Sequence, residues 1–592
     1  MRASKWMRCL TFALAAMLLC PVGLMANNIR IIGTPEIVKK DDKKKAAINF
    51  TIAWDNSWKS SKPANWDAAW IYVKCWDGNT WNHVYLDTAG HTAGNTDLAE
   101  YRVMNRDKTG KKMPMVIECG KSTVYKKWGN DPDEKPSTGV VGVFLHRKDS
   151  LGSGNIVVPG VSLLWTYTDQ SFTYDDDLVV KVFAVEMVYV PQGPFYLGGK
   201  GTAASQVASF TWNGAAFGYP FYVRSENPIT IANTAVDTTL WSTSNNLFAG
   251  TLPAAFPKGY QAFYIMKYEL TQEAYADFLN TLNQGQQDGR INATLANVGV
   301  RGNIWDGSVT THWNGTTMYR QYIMVTQRAP SVTFGVDANQ NGTANETTMV
   351  TRTIDGYTDS CTIGVDGQDL PVTYVSMFDL LAYADFAGLR PMTELEYEKA
   401  CRGDQPVVND EYAWGSVTRT EYSTTTMTNK NRGDEIVPDA YNTLNRGLVH
   451  HWWYSAPLRV GIFADSTSTR AAAGASYWGV MNMSDNVFEM CIGLGYNNAA
   501  STGGRNFQGV HGDGQLAANG QADVAKWAIP AASASTYWMP RGIVTHLNWS
   551  PYVLGGMVSN RNWYGGIAAL NDRNNGNYLG GIRCVRTAGA TE

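Results

Sequence analysis

Leu370 to Gly403 reads LPVTYVSMFDLLAYADFAGLRPMTELEYEKACRG. Two capped helices are written into it. Ser376 precedes an apolar run and Asp379 stands three residues on, so hydroxyl and carboxylate can each satisfy a backbone N–H that the first helical turn leaves over. That helix ends at Gly388, where a glycine accommodates the turn out of the helix. Thr393 and Glu396 repeat the device, and the second helix runs through Cys401. Upstream, Phe263 to Asn280 (FYIMKYELTQEAYADFLN) begins as a strand. Thr271 then caps a helix in which Tyr275, Phe278 and Leu279 recur at helical spacing. Met187 to Gly199 (MVYVPQGPFYLGG) predicts a hairpin, two short strands about a Pro-Gln-Gly turn. Beyond Gly403 the chain is rich in Gly, Asn and Thr, and predicts long loops and short strands without a strong helix.

The region from Asn27 to Glu186 has a different pattern. Ala47–Trp54, Ala69–Cys75, Gly139–Leu145 and Leu178–Val185 are short β-branched and aromatic runs separated by Gly, Asp and Asn. They predict an all-β sandwich. Lys39 to Lys45 (KKDDKKK) mixes both signs and reads as a solvated loop before a strand. Trp54, Trp58, Trp66, Trp70, Trp76 and Trp81 crowd together; some are core, and an exposed subset could stack on a sugar or a partner.

The chain has 592 residues, which predicts two or three domains. A hydrophobic content of 44% supplies real cores, and a net charge of −3 argues against a nucleic-acid partner. Arg2, Lys5 and Arg8 precede the apolar run Cys9–Cys20, and Pro21-Val22-Gly23 breaks it before Ala26. Residues 1–26 therefore read as a signal peptide on an exported protein, whether periplasmic, surface-held or extracellular. Leu18-Leu19 stand where a lipobox needs small residues, which argues against a lipid anchor, and no later run is long enough to span a bilayer. The remaining cysteines are Cys75, Cys119, Cys361, Cys401, Cys491 and Cys584. An even count in an exported chain suggests disulfides, and Cys75–Cys119 is the expected pair in the N-terminal region.

Six ordered phrases extend this reading: MVYVPQGPFYLGG, FYIMKYELTQEAYADFLN, the Leu370–Gly403 stretch, YAWGS, YWGVMNMSDNVFEM and GGIRCVR. Together they resemble the formylglycine-generating enzyme family, or sulfatase-modifying factors. The resemblance implies an α+β C-type-lectin-like domain rich in irregular loops, over residues 187–592, after the sandwich of 27–186. Active members use two cysteines after a Gly-Gly pair. Aligned on Gly555-Gly556, those positions fall on Asn560 and Gly565. A thiolate must hold copper and exchange with the substrate thiol. An amide and a hydrogen atom do neither, so no copper and no formylglycine chemistry are expected. A second branch of the family, which joins sulfur to histidine derivatives, holds iron through histidines on a helical domain; no such domain or H-x₃-H pair is present.

The resemblance also implies a structural Ca²⁺. Asn482 and Glu489 correspond to side-chain ligands, and Asp485 and Val487 to backbone carbonyl ligands, all hard oxygens. Asp485 stands where the family has Gly, which predicts a left-handed backbone there. The family has cysteines at the positions of Cys401 and Cys584, though their usual partners are Ala384 and Leu570 here, and Cys401–Cys584 is the pairing this suggests.

Asn560, Asn562, Trp563, Tyr564, Asn571, Asp572, Arg573, Asn575, Asn577 and Tyr578 give the C-terminal segment the aromatic-and-amide balance of a paratope. It lies where active relatives hold their substrate peptide. It also resembles the variable region of diversity-generating-retroelement proteins. The expected function is an exported, non-catalytic binder of a protein or glycan. The alternatives are an enzyme of the family with altered chemistry and a structural component of a surface or secretion assembly.

Overall fold

The computed structural model describes residues 29–94, 114–120, 139–148, 150, 153–199, 209–213, 219–242, 247–291, 304, 320–328, 331–339, 341–354, 357–418, 427–436, 457–464, 468–495, 499–527, 538–542, 556–561 and 580–589. The signal-like segment 1–26 lies outside them. The fold is mostly β with few helices. Its longest ladder joins Lys45–Ser61 to Ser153–Thr166, with Arg30–Lys39 on the other edge. The Lys-Asp run between the first two of these strands in sequence is a solvent-exposed turn. Asp42 Oδ1 closes it by accepting from the N–H groups of Lys44 (2.9 Å) and Lys45 (3.0 Å).

Ala64–Trp76 is the pivot. It pairs with Val143–Arg147 along one edge and with Val179–Val190 along the other. Successive side chains point to opposite faces of a strand. Ala69, Ile71, Val73 and Cys75 therefore join a core with Ile48, Phe50, Leu145 and Leu163. Ala68, Trp70 and Tyr72 join the larger core with Phe278, Leu380 and Phe386. Both faces are buried, and apart from Asn65, Asp67 and Lys74 the strand is apolar. Trp70 also donates from Nε1 to the Ala387 carbonyl at 2.8 Å, tying the strand to the end of the Met377–Phe386 helix.

Three sequence expectations are corrected here. Met187–Gly199 is not a hairpin. Val179–Val190 has both edges occupied, by Ala64–Trp76 and by Phe263–Met266, so Phe195–Leu197 pairs instead with Phe221–Val223. One sheet runs through that same Val179–Val190 strand from the N-terminal region to Cys584–Thr587. Cys75 and Cys119 are both free thiols. Cys119 lies opposite Val143, and Val143 opposite Ile71, four residues short of Cys75. That offset is about 13 Å along a strand, against the roughly 7 Å limit between bridged Cα atoms. Cys401, Cys491 and Cys584 are free and buried as well, so Cys401–Cys584 is not formed; the side chain of Cys361 lies outside the described residues.

The helices follow their caps. Thr271 accepts from the Ala274 N–H ahead of Gln272–Leu279. Ser376 with Asp379, and Thr393 with Glu396, close reciprocal capping boxes ahead of Met377–Phe386 and Glu394–Arg402. None of the six clustered tryptophans is exposed; Trp66 lies stacked on Tyr189 at 3.9 Å with Lys59 over its ring at 4.4 Å.

Candidate functional site

The helix Glu394–Arg402 carries the acids that hold Arg541 and Arg561. Glu394 accepts two hydrogen bonds from Arg561 and one from the Leu494 N–H at 2.7 Å. Glu398 accepts from Arg541 Nη2 at 2.9 Å and from the Gly198 N–H at 2.7 Å. Arg402 pairs with Glu411, and Arg541 also donates to the Val558 carbonyl. These ion pairs are fully buried. They fix residues 556–561 against the helix. Asn560 is 6% exposed within that stretch, next to Arg561, whose guanidinium lies 4.2 Å from the Phe210 ring centre. Arg505 adds a further cation: burial and the Arg561 charge push it down to about 10, and carbonyls of Leu494 and Phe248 accept from it. Of the expected binding residues only Asn560 is described. Asn562, Trp563, Tyr564, Asn571, Asp572, Arg573, Asn575, Asn577 and Tyr578, with Gly565, lie outside the described residues. The chain returns at Gly580-Gly581, which pairs in parallel with Phe488-Glu489.

All four expected calcium residues are described. The left-handed positions in the loop are Asn482 (φ 60°) and Asn486 (φ 74°), not Asp485. Asparagine tolerates that region, so the loop turns without the strain expected of an aspartate in place of glycine. Asn482 Oδ1 accepts from the Gly461 N–H at 2.9 Å, and Asn486 Oδ1 accepts from the Leu458 N–H at 2.9 Å. Glu489 Oε1 faces Arg583 at 3.1 Å, while its Oε2 is buried with no hydrogen-bond partner. A Cβ on Gly542 would stand 2.8 Å from that oxygen, so glycine is needed beside it.

Glu269 was not anticipated. Its carboxylate accepts from Asn486 Nδ2 at 3.1 Å and from the Val487 N–H at 3.3 Å. Burial pushes it up to about 7 against the pull of Arg583. Burial likewise holds Glu489 well above the usual carboxylate range, with the Glu269 and Asp485 charges adding to the effect. Its sequence signal was an acid near the end of the largely apolar FYIMKYEL run, which also holds Lys267. A lone buried acid is an expensive choice unless something compensates it.

Among the described residues, one trio of carboxylates comes within 4.8 Å: Asp385, Asp513 and Asp523. Asp385 spends both oxygens on the backbone, accepting from the N–H groups of Asp513 (3.1 Å) and Asp523 (3.2 Å). That geometry clamps the 511–523 loop to the Met377–Phe386 helix. No described helix is long and apolar enough to cross a membrane.

The family model for the Sulfatase-modifying factor enzyme 1-like domain matches residues 180–522, more than half of the chain. The match begins in the Val179–Val190 strand, takes in the capped helices and the Asn482–Glu489 loop, and ends before Asn560. A comparison with curated proteins finds no match. By the extent of that match, the chain belongs to the Sulfatase-modifying factor enzyme 1-like family.

Proposed function

We propose that this chain is an exported, non-catalytic binding protein whose ligand site is the C-terminal face from Asn560 to Tyr578. The observation that carries the proposal is Asn560, at a position where the family's chemistry needs a thiolate. An amide neither ligates copper as a thiolate does nor exchanges with a substrate thiol. The described cysteines support the same reading, because burial raises the pKa of all five, that of Cys75 to about 12. The buried ion pairs beneath the face suit a rigid platform for presenting side chains. The basic and apolar pattern of residues 1–26 supports export. The proposal includes the finer fold reading, an N-terminal sandwich beside a C-type-lectin-like domain.

We further propose a structural Ca²⁺ in the Asn482–Glu489 loop. Side-chain oxygens of Asn482 and Glu489 and backbone carbonyls of Asp485 and Val487 would hold it. Glu489 Oε2, buried and accepting no hydrogen bond, supports the assignment. So does the excess of Glu269, Asp485 and Glu489 over the Arg583 charge. The ion would neutralise and stiffen the loop and takes no part in any reaction.

The test is a glycan and surface-protein binding screen on residues 27–592, with a sulfatase-type Cys peptide incubated in parallel with and without copper. A ligand whose binding is lost on changes in 560–578, with the peptide unaltered, is the expected result. Aldehyde-bearing peptide in the mass spectrum above a no-protein control overturns the non-catalytic reading.

A further inference from the structure

The buried charges behind Asn560 do not balance. Three carboxylates, Glu394, Glu398 and Glu411, are matched by three guanidiniums, Arg402, Arg541 and Arg561. Arg505 is a fourth guanidinium in the same place. Its Nε donates to the Leu494 carbonyl at 2.8 Å, and Arg561 Nη2 lies 3.4 Å from the carbonyl of the next residue, Gly495. Arg505 is only 6% exposed, yet it has no ion pair among the described residues. Taking a guanidinium out of water without a counter-charge is costly. Nothing in the packing requires that cost, since an uncharged side chain would fill the same space.

The hydrogen bonds of Arg505 show which way it is open. Nε and Nη2 are spent on the carbonyls of Leu494 and Phe248, which fix the plane of the guanidinium. Nη1 makes no hydrogen bond among the described residues. It lies against Gly250, an exposed residue of the Gly250–Leu252 strand. A Cβ on Gly250 would stand 3.0 Å from Nη1, so the missing side chain leaves that nitrogen an approach from the surface. The nearest charges are those of Arg561 and Glu394, and Glu394 is already held by Arg541 and Arg561. An oxyanion arriving beside Gly250 would meet a rigidly held N–H donor and a positive charge that no described residue answers.

We propose that Arg505 is an oxyanion subsite of the C-terminal face, with Nη1 donating to a carboxylate or sulfate group on the ligand. The inference rests on the reading of that face as the ligand site, and it narrows the ligand to one that carries a negative charge. The subsite is built for one group. Two arms of the guanidinium are committed to backbone, and one is left to bind.

The experiment is a calorimetric titration of the chain with sodium sulfate and with sodium acetate, each against sodium chloride at equal ionic strength. Wild type is expected to bind one oxyanion saturably. Stronger binding of sulfate points to a sulfate ester on the ligand, and stronger binding of acetate to a carboxylate. Arg505→Gln is expected to lose the binding. Gly250→Ala keeps both carbonyl bonds of Arg505 and closes the approach to Nη1, and is expected to weaken the binding roughly tenfold or more, as for loss of a charge-assisted hydrogen bond. Gly250→Ala decides the matter if Arg505→Gln does not fold. Saturable binding of neither anion by wild type, or wild-type affinity in either folded variant, overturns the subsite. If that happens while a confirmed ligand still needs residues 560–578, the C-terminal face stands without it. An oxyanion bound at Arg505 beside a ligand indifferent to changes in 560–578 instead overturns the face.

Discussion

Arg561 grips Glu394 through two parallel hydrogen bonds, Nε to Oε2 at 2.7 Å and Nη2 to Oε1 at 2.8 Å, and neither side chain reaches solvent. A planar guanidinium forked on a carboxylate sets direction as well as distance. Glu394 opens a capped helix, and Arg561 is the last described residue before the C-terminal segment. At the far end Gly581 pairs with Glu489. Arg561 and Gly580-Gly581, the described residues on either side of 562–579, are therefore both anchored in the core.

Removing one partner of that pair should be costly. Arg561→Met leaves Glu394 buried with only Arg541 and the Leu494 N–H, and should destabilise by about 3–5 kcal/mol, as for other broken buried pairs. Adding Glu394→Gln should recover part of the loss, because the uncompensated charge goes too. Urea unfolding reads both. A loss under about 1 kcal/mol in the single variant would show that the pair is not the anchor.

Chelation should lower the melting temperature. An ion that binds only the folded state stabilises by RT ln(1 + [L]/Kd), about 3 kcal/mol at a hundred times Kd. Glu489→Ala should remove that sensitivity to EDTA. Identical calcium-dependent melting shifts in wild type and Glu489→Ala would sink the Asn482–Glu489 assignment.

What was legible in the sequence was local. Ser376 with Asp379, and Thr393 with Glu396, lie one helical turn apart, so their capping boxes need no knowledge of the rest of the chain. The hairpin at Met187–Gly199 failed for the opposite reason. Its turn residues are real, but the competition for the edges of Val179–Val190 comes from Ala64–Trp76 and Phe263–Met266, far away in sequence. Cys75–Cys119 failed likewise, because counting cysteines carries no register. Glu269 and Arg583 meet Glu489 only through the sheet, and no spacing announced them.

Lys399 supplies a pH signature. It sits on the Glu394–Arg402 helix, 1% exposed, with Nζ donating to the carbonyls of Gly193 (3.2 Å) and Tyr260 (3.3 Å). Burial pushes it down to about 7. Between that value and the ordinary lysine range the unfolded chain holds a proton that the native state lacks, so stability contributed by this group rises with pH there. Below about 7 both states are charged and the full cost of burial is felt. Lys399→Met should therefore gain more over wild type at pH 6 than at pH 9, by about 3 kcal/mol at roughly 1.4 kcal/mol per unit. Equal differences at the two pH values would mean that the amine is not held neutral.

The last prediction locates binding. Trp563 and Tyr564 lie just beyond Arg561, and hot spots concentrate in Trp, Tyr and Arg. If the C-terminal face is the ligand site, replacing both by Ala should cost about 2 kcal/mol or more, at least roughly thirtyfold in affinity, with melting nearly unchanged. Buried aromatics respond differently. Trp54 and Trp70 are fully buried, and truncating either should destabilise by about 3–5 kcal/mol. Reading affinity and melting together separates the two effects. Wild-type affinity for a confirmed ligand in the Trp563→Ala/Tyr564→Ala protein would move the site away from this face. The six N-terminal tryptophans would be a poor substitute, because all are at least partly buried and Trp66 already has Tyr189 on one side and Lys59 over its ring.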